Sequence, residues 1–175
     1  MEILPATADD ANGIATAHVR SWQVAYAGIL DPAFLAGLSV EQRAERWRGI
    51  LVADASQTLV AHEPAVGGVA GFISHGPWRD DEADGAHGEV WALYTHPDAW
   101  GQGVGRALMS AAVDALQAQG RHTVSLWVLS ANERGMRFYR AQGFQPVDGS
   151  AKRFELGGRQ VEEVCMRKMG DASAR

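Results

Sequence analysis

The stretch EVWALYTHPDAWGQGVGRALMSAAVDAL, residues 89–116, decides the fold. Its first seven residues are mostly apolar and rich in aromatic and branched side chains, which predicts a β-strand that ends before Pro97. From Val104 onward, apolar residues recur at intervals of three and four, which predicts an amphipathic helix that Gly120 ends. A short turn therefore joins a strand to a helix.

Three alternating glycines occupy this turn, in the run Trp100-Gly101-Gln102-Gly103-Val104-Gly105-Arg106. At a helix N-terminus, a backbone without side chains lets several amide N–H groups converge on an anion, and the positive end of the helix dipole adds to the attraction. The turn therefore predicts a phosphate site. The alternative is that the glycines only make a tight connection between strand and helix.

The spacing of the glycines limits which phosphate could bind. The chain contains no Gly-Lys-Ser/Thr, which excludes a Walker loop. A dinucleotide fingerprint would need a third glycine where Arg106 or Leu108 stands, and an acidic residue after the next strand, where Ser130 stands. A nucleotide-binding oxidoreductase is thus disfavoured, and the pyrophosphate of coenzyme A is the remaining candidate.

The composition is that of a soluble globular protein. The 175 residues are 46% apolar and 21% charged, and the formal net charge of −5 argues against a nucleic-acid partner. One cysteine and no signal peptide or membrane-length apolar run predict a cytoplasmic protein. The six histidines show no metal-ligand spacing, so we predict no metal. We expect one domain over residues 1–169 and a flexible tail over 170–175.

Outside residues 89–116, the apolar patterns predict a mixed-sheet α/β (α+β) domain. The connection between the strand at Glu89 and the strand at Thr123 is long enough for a right-handed crossover. The two strands can therefore pair in parallel. The predicted strands lie near residues 2–5, 58–62, 69–74, 89–95, 123–129, 144–147 and 161–168, and the predicted helices near 9–27, 40–51, 103–120 and 132–143.

Two motifs resemble those of the GNAT superfamily of N-acetyltransferases. The first is Gln/Arg-x-x-Gly-x-Gly/Ala after a strand, which Gly103 and Gly105 match while Trp100 replaces the polar residue. The second is an Asn before a helix that ends in Phe-Tyr-x-x-x-Gly-Phe, matched by Asn132 and the run Phe138-Tyr139-Arg140-Ala141-Gln142-Gly143-Phe144. The close resemblance covers about residues 89–144.

This resemblance implies a mostly antiparallel central sheet of six to seven strands flanked by about four helices. It implies an N-acetyltransferase that moves an acetyl group from acetyl-CoA to a primary amine of a small molecule or peptide by direct transfer. The alternative is a catalytically weak acyl-CoA-binding sensor or interaction module, and a homodimer is left open. The implied coenzyme A contacts are Leu93, Tyr94, Thr95, Gly101, Gln102, Gly103, Val104, Gly105, Arg106, Asn132 and Tyr139.

Two residues are candidates for proton transfer. The resemblance implies that Tyr139 protonates the leaving thiolate, since a phenol stays protonated at neutral pH; the alternative is a core aromatic. Glu89 lies four residues before Leu93, and strand alternation puts both on one face. The resemblance implies that a glutamate at this position could accept the amine proton, directly or through water; the alternative is an exposed acid at a strand end.

The amine site is less readable. The resemblance places the first helix and the following loop over the acceptor, which makes Trp22, Tyr26 and Phe34 candidates, joined by Trp78 and the acidic segment 80–84. Such surroundings would suit a cationic amine, although aromatic residues at these spacings are more often core.

The segment from Asp98 to Gln142 contains five arginines and three acidic residues. Its local charge of +2 favours an anionic cosubstrate.

Overall fold

A computed structural model describes residues 1–54, 57–63, 68–79 and 85–170. The predicted tail beyond Gly170 and the acidic segment 80–84 lie outside them. The described residues form eight strands: β1 (Glu2–Pro5), β2 (Thr58–Glu63), β3 (Gly68–Pro77), β4 (His87–Thr95), β5 (Thr123–Leu129), β6 (Gln145–Pro146), β7 (Lys152–Leu156) and β8 (Arg159–Met169). They also form five α-helices: α1 (Ala11–Ala25), α2 (Pro32–Ala36), α3 (Val40–Asp54), α4 (Val104–Ala118) and α5 (Glu133–Ala141).

All eight strands belong to one sheet, in the order β1-β2-β3-β4-β5-β8-β6, with β7 paired to β8. Only β4 and β5 are parallel, and α4 provides the crossover between them. The mixed, mostly antiparallel sheet is therefore confirmed. The prediction of six to seven strands did not include β7, whose five residues, KRFEL, hold only two apolar positions.

Helices cover both faces of the sheet. The α4–α5 face carries a core cluster that includes Leu108, Leu116, Leu126 and Phe144. The α1–α3 face carries a second cluster, with Ile14, Trp47, Val60 and Phe72 among its members. None of the helices in the described segments has the length and apolar character that crossing a bilayer would require.

A β-bulge changes the side-chain phase along β4. The pairing register with β3 shifts by one residue opposite Trp91. As a result Val90 and Leu93, which are three residues apart, both pack into the core of the α4–α5 face. Glu89 is adjacent to Val90 and so points to the α1–α3 face. The expectation that Glu89 shares a face with Leu93 is therefore wrong, because strict alternation does not continue through a bulge.

Candidate active site

The glycine turn forms the N-terminus of α4. Gly101 and Gly103 have φ values of 78° and 85°, a left-handed conformation that side chains rarely adopt. Gly103 is the N-cap residue, and no side chain caps the helix. The first-turn amides of a helix have no intrahelical acceptor. In this helix they are also not covered by a capping side chain.

Four successive amides at this end of α4 remain available to a ligand. Within the described segments, the N–H groups of Gly103, Val104, Gly105 and Arg106 donate to no backbone or side-chain acceptor. The first backbone hydrogen bond of the helix runs from Ala107 N to the Gly103 oxygen at 3.0 Å. Together with the helix dipole, these donors can hold a phosphate group.

The two parallel strands separate just beside this turn. Pairing between β4 and β5 ends at Val90 and Leu126, although β4 continues to Thr95 and β5 to Leu129. The backbone of β4 beyond Val90 therefore faces a gap in the sheet instead of a partner strand on that side. An extended ligand could pair with this edge as an added strand.

A cavity of about 870 Å³ follows the gap and joins the glycine turn to the α1–α3 face. Most of the residues predicted from the sequence line it. These are Trp22, Tyr26, Glu89, Leu93, Tyr94, Thr95, Gly101, Gln102, Gly103, Val104, Gly105, Arg106, Asn132 and Tyr139. The structure thus brings the predicted coenzyme A contacts, both proton-transfer candidates and two acceptor candidates to one cavity.

Phe34 and Trp78 do not line this cavity in the described structure. Phe34 lies behind Trp22, with ring centroids 6.5 Å apart, and packs with the core around Leu30 and Leu35. Trp78 is buried and stacks on His87 at 4.5 Å. Both aromatic rings are used in packing, and the described structure does not bring them to the cavity with the other predicted residues.

Tyr139 lies on α5 and reaches the cavity from the α4–α5 face. Its ring contacts Phe138 and Phe144 at centroid distances of 5.3 and 6.2 Å. Burial raises the pKa of the Tyr139 hydroxyl above its usual range, and the nearby Tyr94 adds to the shift. The phenol is therefore protonated throughout the neutral and mildly alkaline range.

The start of α5 is fixed by Asn132. Its side-chain oxygen accepts a hydrogen bond from the Gly135 amide at 3.0 Å and so caps the helix. A Cβ at Gly135 would lie 2.7 Å from the Asn132 side-chain nitrogen. The close approach of these two residues explains a glycine at this position, and it holds Asn132 at the cavity wall.

Trp100, which replaces the polar residue of the first motif, makes a polar contact of its own. Its indole Nε1 donates to the Thr95 oxygen at 3.0 Å and so ties the glycine turn to the end of β4. The guanidinium of Arg134 lies 3.5 Å above the Trp100 ring centroid. Arg134 and Trp100 both line the cavity, which adds a cation to its phosphate end.

Glu89 is buried and bound by a neighbouring arginine. Arg79 Nη2 lies 2.7 Å from one carboxylate oxygen, and Arg79 Nε and its backbone N–H each donate to the other oxygen at 3.1 Å. The Glu89 side chain is 3% exposed and that of Arg79 is 62% exposed. Separating such a pair costs roughly 3 kcal/mol, because the buried carboxylate loses its partner. Glu89 is thus an acid held by a fixed counter-ion.

Sequence reasoning missed a second carboxylate in this cavity. Glu163 lies on β8, next to β5, where it is the register partner of Leu129. Burial raises the pKa of Glu163, the negative charge of Glu89 raises it further, and Lys152 opposes the shift. Glu163 lies in the run VEEVCMRKM, where two adjacent glutamates gave no reason to prefer one. The contrast between them appears only in the sheet: Glu162 pairs with Arg153, and Glu163 lines the cavity.

No group of three or more His, Cys, Asp or Glu side chains in the described ranges is arranged to hold a metal ion.

Comparison with known proteins gives a consistent assignment. Residues 22–144 match the model of the Acetyltransferase (GNAT) family. The protein named "Uncharacterized N-acetyltransferase YuaI" of Bacillus subtilis is 30% identical over 161 residues, which cover 89% of this chain and 86% of YuaI. The L-amino acid N-acyltransferase MnaT of Escherichia coli is 34% identical over 86 residues, or 49% of this chain and 48% of MnaT.

A solved structure shares the fold. The PaiA N-acetyltransferase of Thermoplasma acidophilum, in complex with coenzyme A, has a TM-score of 0.75 and 22% identity to this chain, covering 96% of this chain and 98% of that one. The family match contains the whole stretch from β4 through α5, which carries the glycine turn, Asn132 and Tyr139. This chain belongs to the GNAT family of acetyltransferases.

Proposed function

We propose that this acetyltransferase moves the acetyl group of acetyl-CoA directly to a primary amine of a small molecule or peptide. One observation carries the proposal. A single cavity runs from the unbonded amides at the start of α4, past Tyr139, to an aromatic and acidic end that contains Trp22, Glu89 and Glu163. Both substrates can thus meet within one site.

The phosphate end of the cavity fits the pyrophosphate of the cosubstrate. The amides of residues 103–106 supply donors without a protein acceptor. Arg106 and Arg134 line the same end and add positive charge. Charge-assisted hydrogen bonds of this kind are stronger than neutral ones. We assign the binding of the pyrophosphate to these groups.

The gap between β4 and β5 fits the extended arm of the cosubstrate. We assign Leu93, Tyr94 and Thr95 to backbone pairing with that arm, because β4 has no strand partner on this side after Val90. The Leu93 amide is the donor proposed for the acetyl oxygen. A backbone N–H fixed in a sheet needs no reorganisation as charge develops on that oxygen.

Tyr139 is the proposed proton donor to the departing thiolate. Acetyl-CoA supplies the thioester, and the thiol that it releases has an ordinary pKa near 8.5, so its anion needs a proton at neutral pH. Burial keeps the Tyr139 hydroxyl protonated. Glu89 could accept the amine proton only after the Arg79 guanidinium leaves it.

The acceptor is proposed to be a small molecule or peptide amine. The relative MnaT is named for its action on L-amino acids, and the aromatic and acidic end of the cavity suits an ammonium.

The proposed location is the cytoplasm. Cys165, the single cysteine, is buried and free, which supports this location.

The test is an assay of thiol release from acetyl-CoA by the purified protein with a panel of primary amines. Amine-dependent release, with mass spectrometry detecting the acetylated amine, is the expected result. Tight binding of acetyl-CoA with no release for any amine would reject the transferase and favour the sensor. Absence of binding at millimolar acetyl-CoA would reject both.

A further inference from the structure

We propose that Glu163 binds the ammonium of the acceptor, a primary amine carried on an aromatic or aliphatic group, and accepts its proton. This inference rests on the proposed function and deepens it. It follows from three features of the α1–α3 face: where Glu163 lies in the sheet, what surrounds its carboxylate, and what occupies the carboxylate of Glu89.

The register of the sheet places Glu163 one step beyond the level of Leu93, the proposed donor to the acetyl oxygen. The last paired residues of β4 and β5 are Val90 and Leu126. Trp91 is the extra residue of the bulge in β4, so Tyr94 is three pairing steps beyond Val90, as Leu129 is beyond Leu126 on β5. Tyr94 and Leu129 are therefore at about the same height on opposite sides of the gap. Glu163 is paired with Leu129 across β5 and β8. Its backbone is therefore one strand away from the gap, at the height of Tyr94 and one step beyond Leu93.

The side chain of Glu163 lies on the acceptor face. Side chains of residues two apart in a strand share a face. Val161 packs in the core cluster with Tyr26 and Leu30, on the α1 side of the sheet. Glu163 shares that face and lines the cavity together with Trp22. Glu89 also points to this face, as the bulge in β4 shows.

The two cavity carboxylates differ in their partners. Both oxygens of Glu89 accept hydrogen bonds from Arg79, so its charge is balanced. In the described part of the chain, no hydrogen bond or ion pair engages the carboxylate of Glu163. Lys152 is its register partner on β7, but the Lys152 ammonium lies 4.0 Å from the Trp127 ring centroid and does not line the cavity. Lys152 acts on Glu163 through its charge, and a cationic ligand in the cavity would supply a directly bonded counter-ion.

The remaining walls define the rest of the acceptor. Aromatic and aliphatic side chains line the same cavity as Glu163; they are Trp22, Tyr26, Trp91, Trp127, Phe154 and Leu156. Rings of this kind bind an apolar group and also attract an adjacent ammonium. A protonated amine on an aromatic or aliphatic group satisfies both the walls and the carboxylate.

Burial and the negative charge of Glu89 raise the pKa of Glu163, against the opposing effect of Lys152, which brings this carboxylate closer to the basicity a proton acceptor needs. One ammonium proton passes to Glu163 and then to solvent. The free amine nitrogen attacks the thioester carbon, and the C–S bond breaks. The thiolate takes the proton of Tyr139, and the second proton lost by the nitrogen restores Tyr139. The products are an amide, a thiol and one released proton.

The test uses 2-phenylethylamine and its neutral counterpart 2-phenylethanol as probes of the full chain. Binding is followed by the fluorescence of the cavity tryptophans, and turnover by thiol release. Glu163→Gln should lower kcat/KM for the amine by about 100-fold and move the acidic limb of its pH profile. It should also abolish the preference for the amine over the alcohol, while the affinity for acetyl-CoA stays unchanged.

Two further variants make the result decisive. Glu162→Gln removes the neighbouring glutamate, which pairs with Arg153 and does not line the cavity, and it should behave like the wild type within about twofold. Glu89→Gln should reduce the amine preference less than Glu163→Gln does, because Arg79 already occupies both oxygens of Glu89. The inference is overturned if Glu163→Gln matches Glu162→Gln, or if Glu89→Gln alone removes the acidic limb. A wild-type protein that is silent with every amine would instead overturn the proposed function, and this inference with it.

Discussion

The guanidinium of Arg134 lies 3.5 Å above the ring of Trp100, and the indole N–H of that same ring is bonded to the Thr95 oxygen. One side chain thus connects the end of β4, the glycine turn and the start of α5. Trp100 stands where the GNAT motif has Gln or Arg, and the stacked Arg134 returns a positive charge to that place. Burial lowers the pKa of Arg134, but an arginine remains charged at every physiological pH.

Arg134→Gln is expected to weaken acetyl-CoA binding by about tenfold, because it removes a cation from the phosphate end of the cavity. The loss should be largest at low salt and shrink as salt screens the arginine. Titration calorimetry at two ionic strengths measures both effects. Arg137→Gln is the matched control, since Arg137 pairs with Glu133 on the surface and does not line the cavity. Equal losses in the two variants would contradict the assignment.

Gly103→Ala should reduce acetyl-CoA affinity more than tenfold, because a side chain disfavours the left-handed conformation that presents the amides. Gly120→Ala offers a matched comparison, as Gly120 has φ 78° at the other end of α4 and open space around it. Each variant should lose about 1 kcal/mol of unfolding free energy, measured by denaturant titration. Only the first should lose affinity, and a parallel loss in both would show that stability, and not the turn, is responsible.

Tyr139→Phe is expected to lower kcat by tenfold or more, which is about 1.4 kcal/mol of transition-state stabilisation, while the Kd for acetyl-CoA stays nearly constant. The raised pKa of Tyr139 has a further consequence. Because the phenol keeps its proton above pH 10, its ionisation should cause no loss of wild-type activity between pH 7 and 10. An unchanged kcat in the variant would remove Tyr139 from the mechanism.

His18 should make the protein sensitive to acid. Its ring stacks on Tyr94 at 4.5 Å, its Nδ1 accepts from Trp47 at 3.4 Å, and burial together with Arg43 lowers its pKa from 6.5 to about 3. In the unfolded chain His18 binds a proton below pH 6.5, whereas in the folded chain it does not until about pH 3. The stabilisation is therefore complete above pH 6.5 and is lost as the pH falls toward 3, by about 2 kcal/mol between pH 6.5 and 5.

Urea unfolding at several pH values measures this slope. His18→Gln should flatten it over the same range, while the exposed His122→Gln should leave it unchanged. Burial also lowers the pKa of His75, which contributes a slope of the same sign and remains in both variants. A wild-type stability that does not change between pH 6.5 and 5 would contradict the burial of a neutral His18.

The sequence predicts the centre of this fold well because its features are local. Apolar spacing defines α4, glycines mark its two ends, and Asn132 marks the start of α5. The parallel pairing of β4 and β5 follows from the length of the connection between them. These are properties of single segments, and segment patterns are what sequence reasoning can read.

The sequence-based predictions are wrong or incomplete where contacts between segments distant in sequence determine the position of a side chain. The bulge at Trp91 depends on how β3 pairs, so alternation along β4 alone misassigned the face of Glu89. The pairing of Glu89 with Arg79 and the position of Glu163 likewise depend on separate segments. The short helix α2 is absent from the predicted helices for a different reason. Its start does carry local signals, with Asp31 at the N-cap and Pro32 as the first helical residue. Its five residues hold too little periodicity to show a helix.

The amides at the start of α4 are the central feature of the proposed acetyl-CoA site, and amide hydrogen exchange tests them directly. Exchange at Gly103, Val104, Gly105 and Arg106 should be fast in the free protein, because these donors have no acceptor in the described structure. Saturating acetyl-CoA should slow it by about 100-fold or more, with little change at Gly120. Unchanged exchange at these four residues in the presence of bound acetyl-CoA would contradict the account.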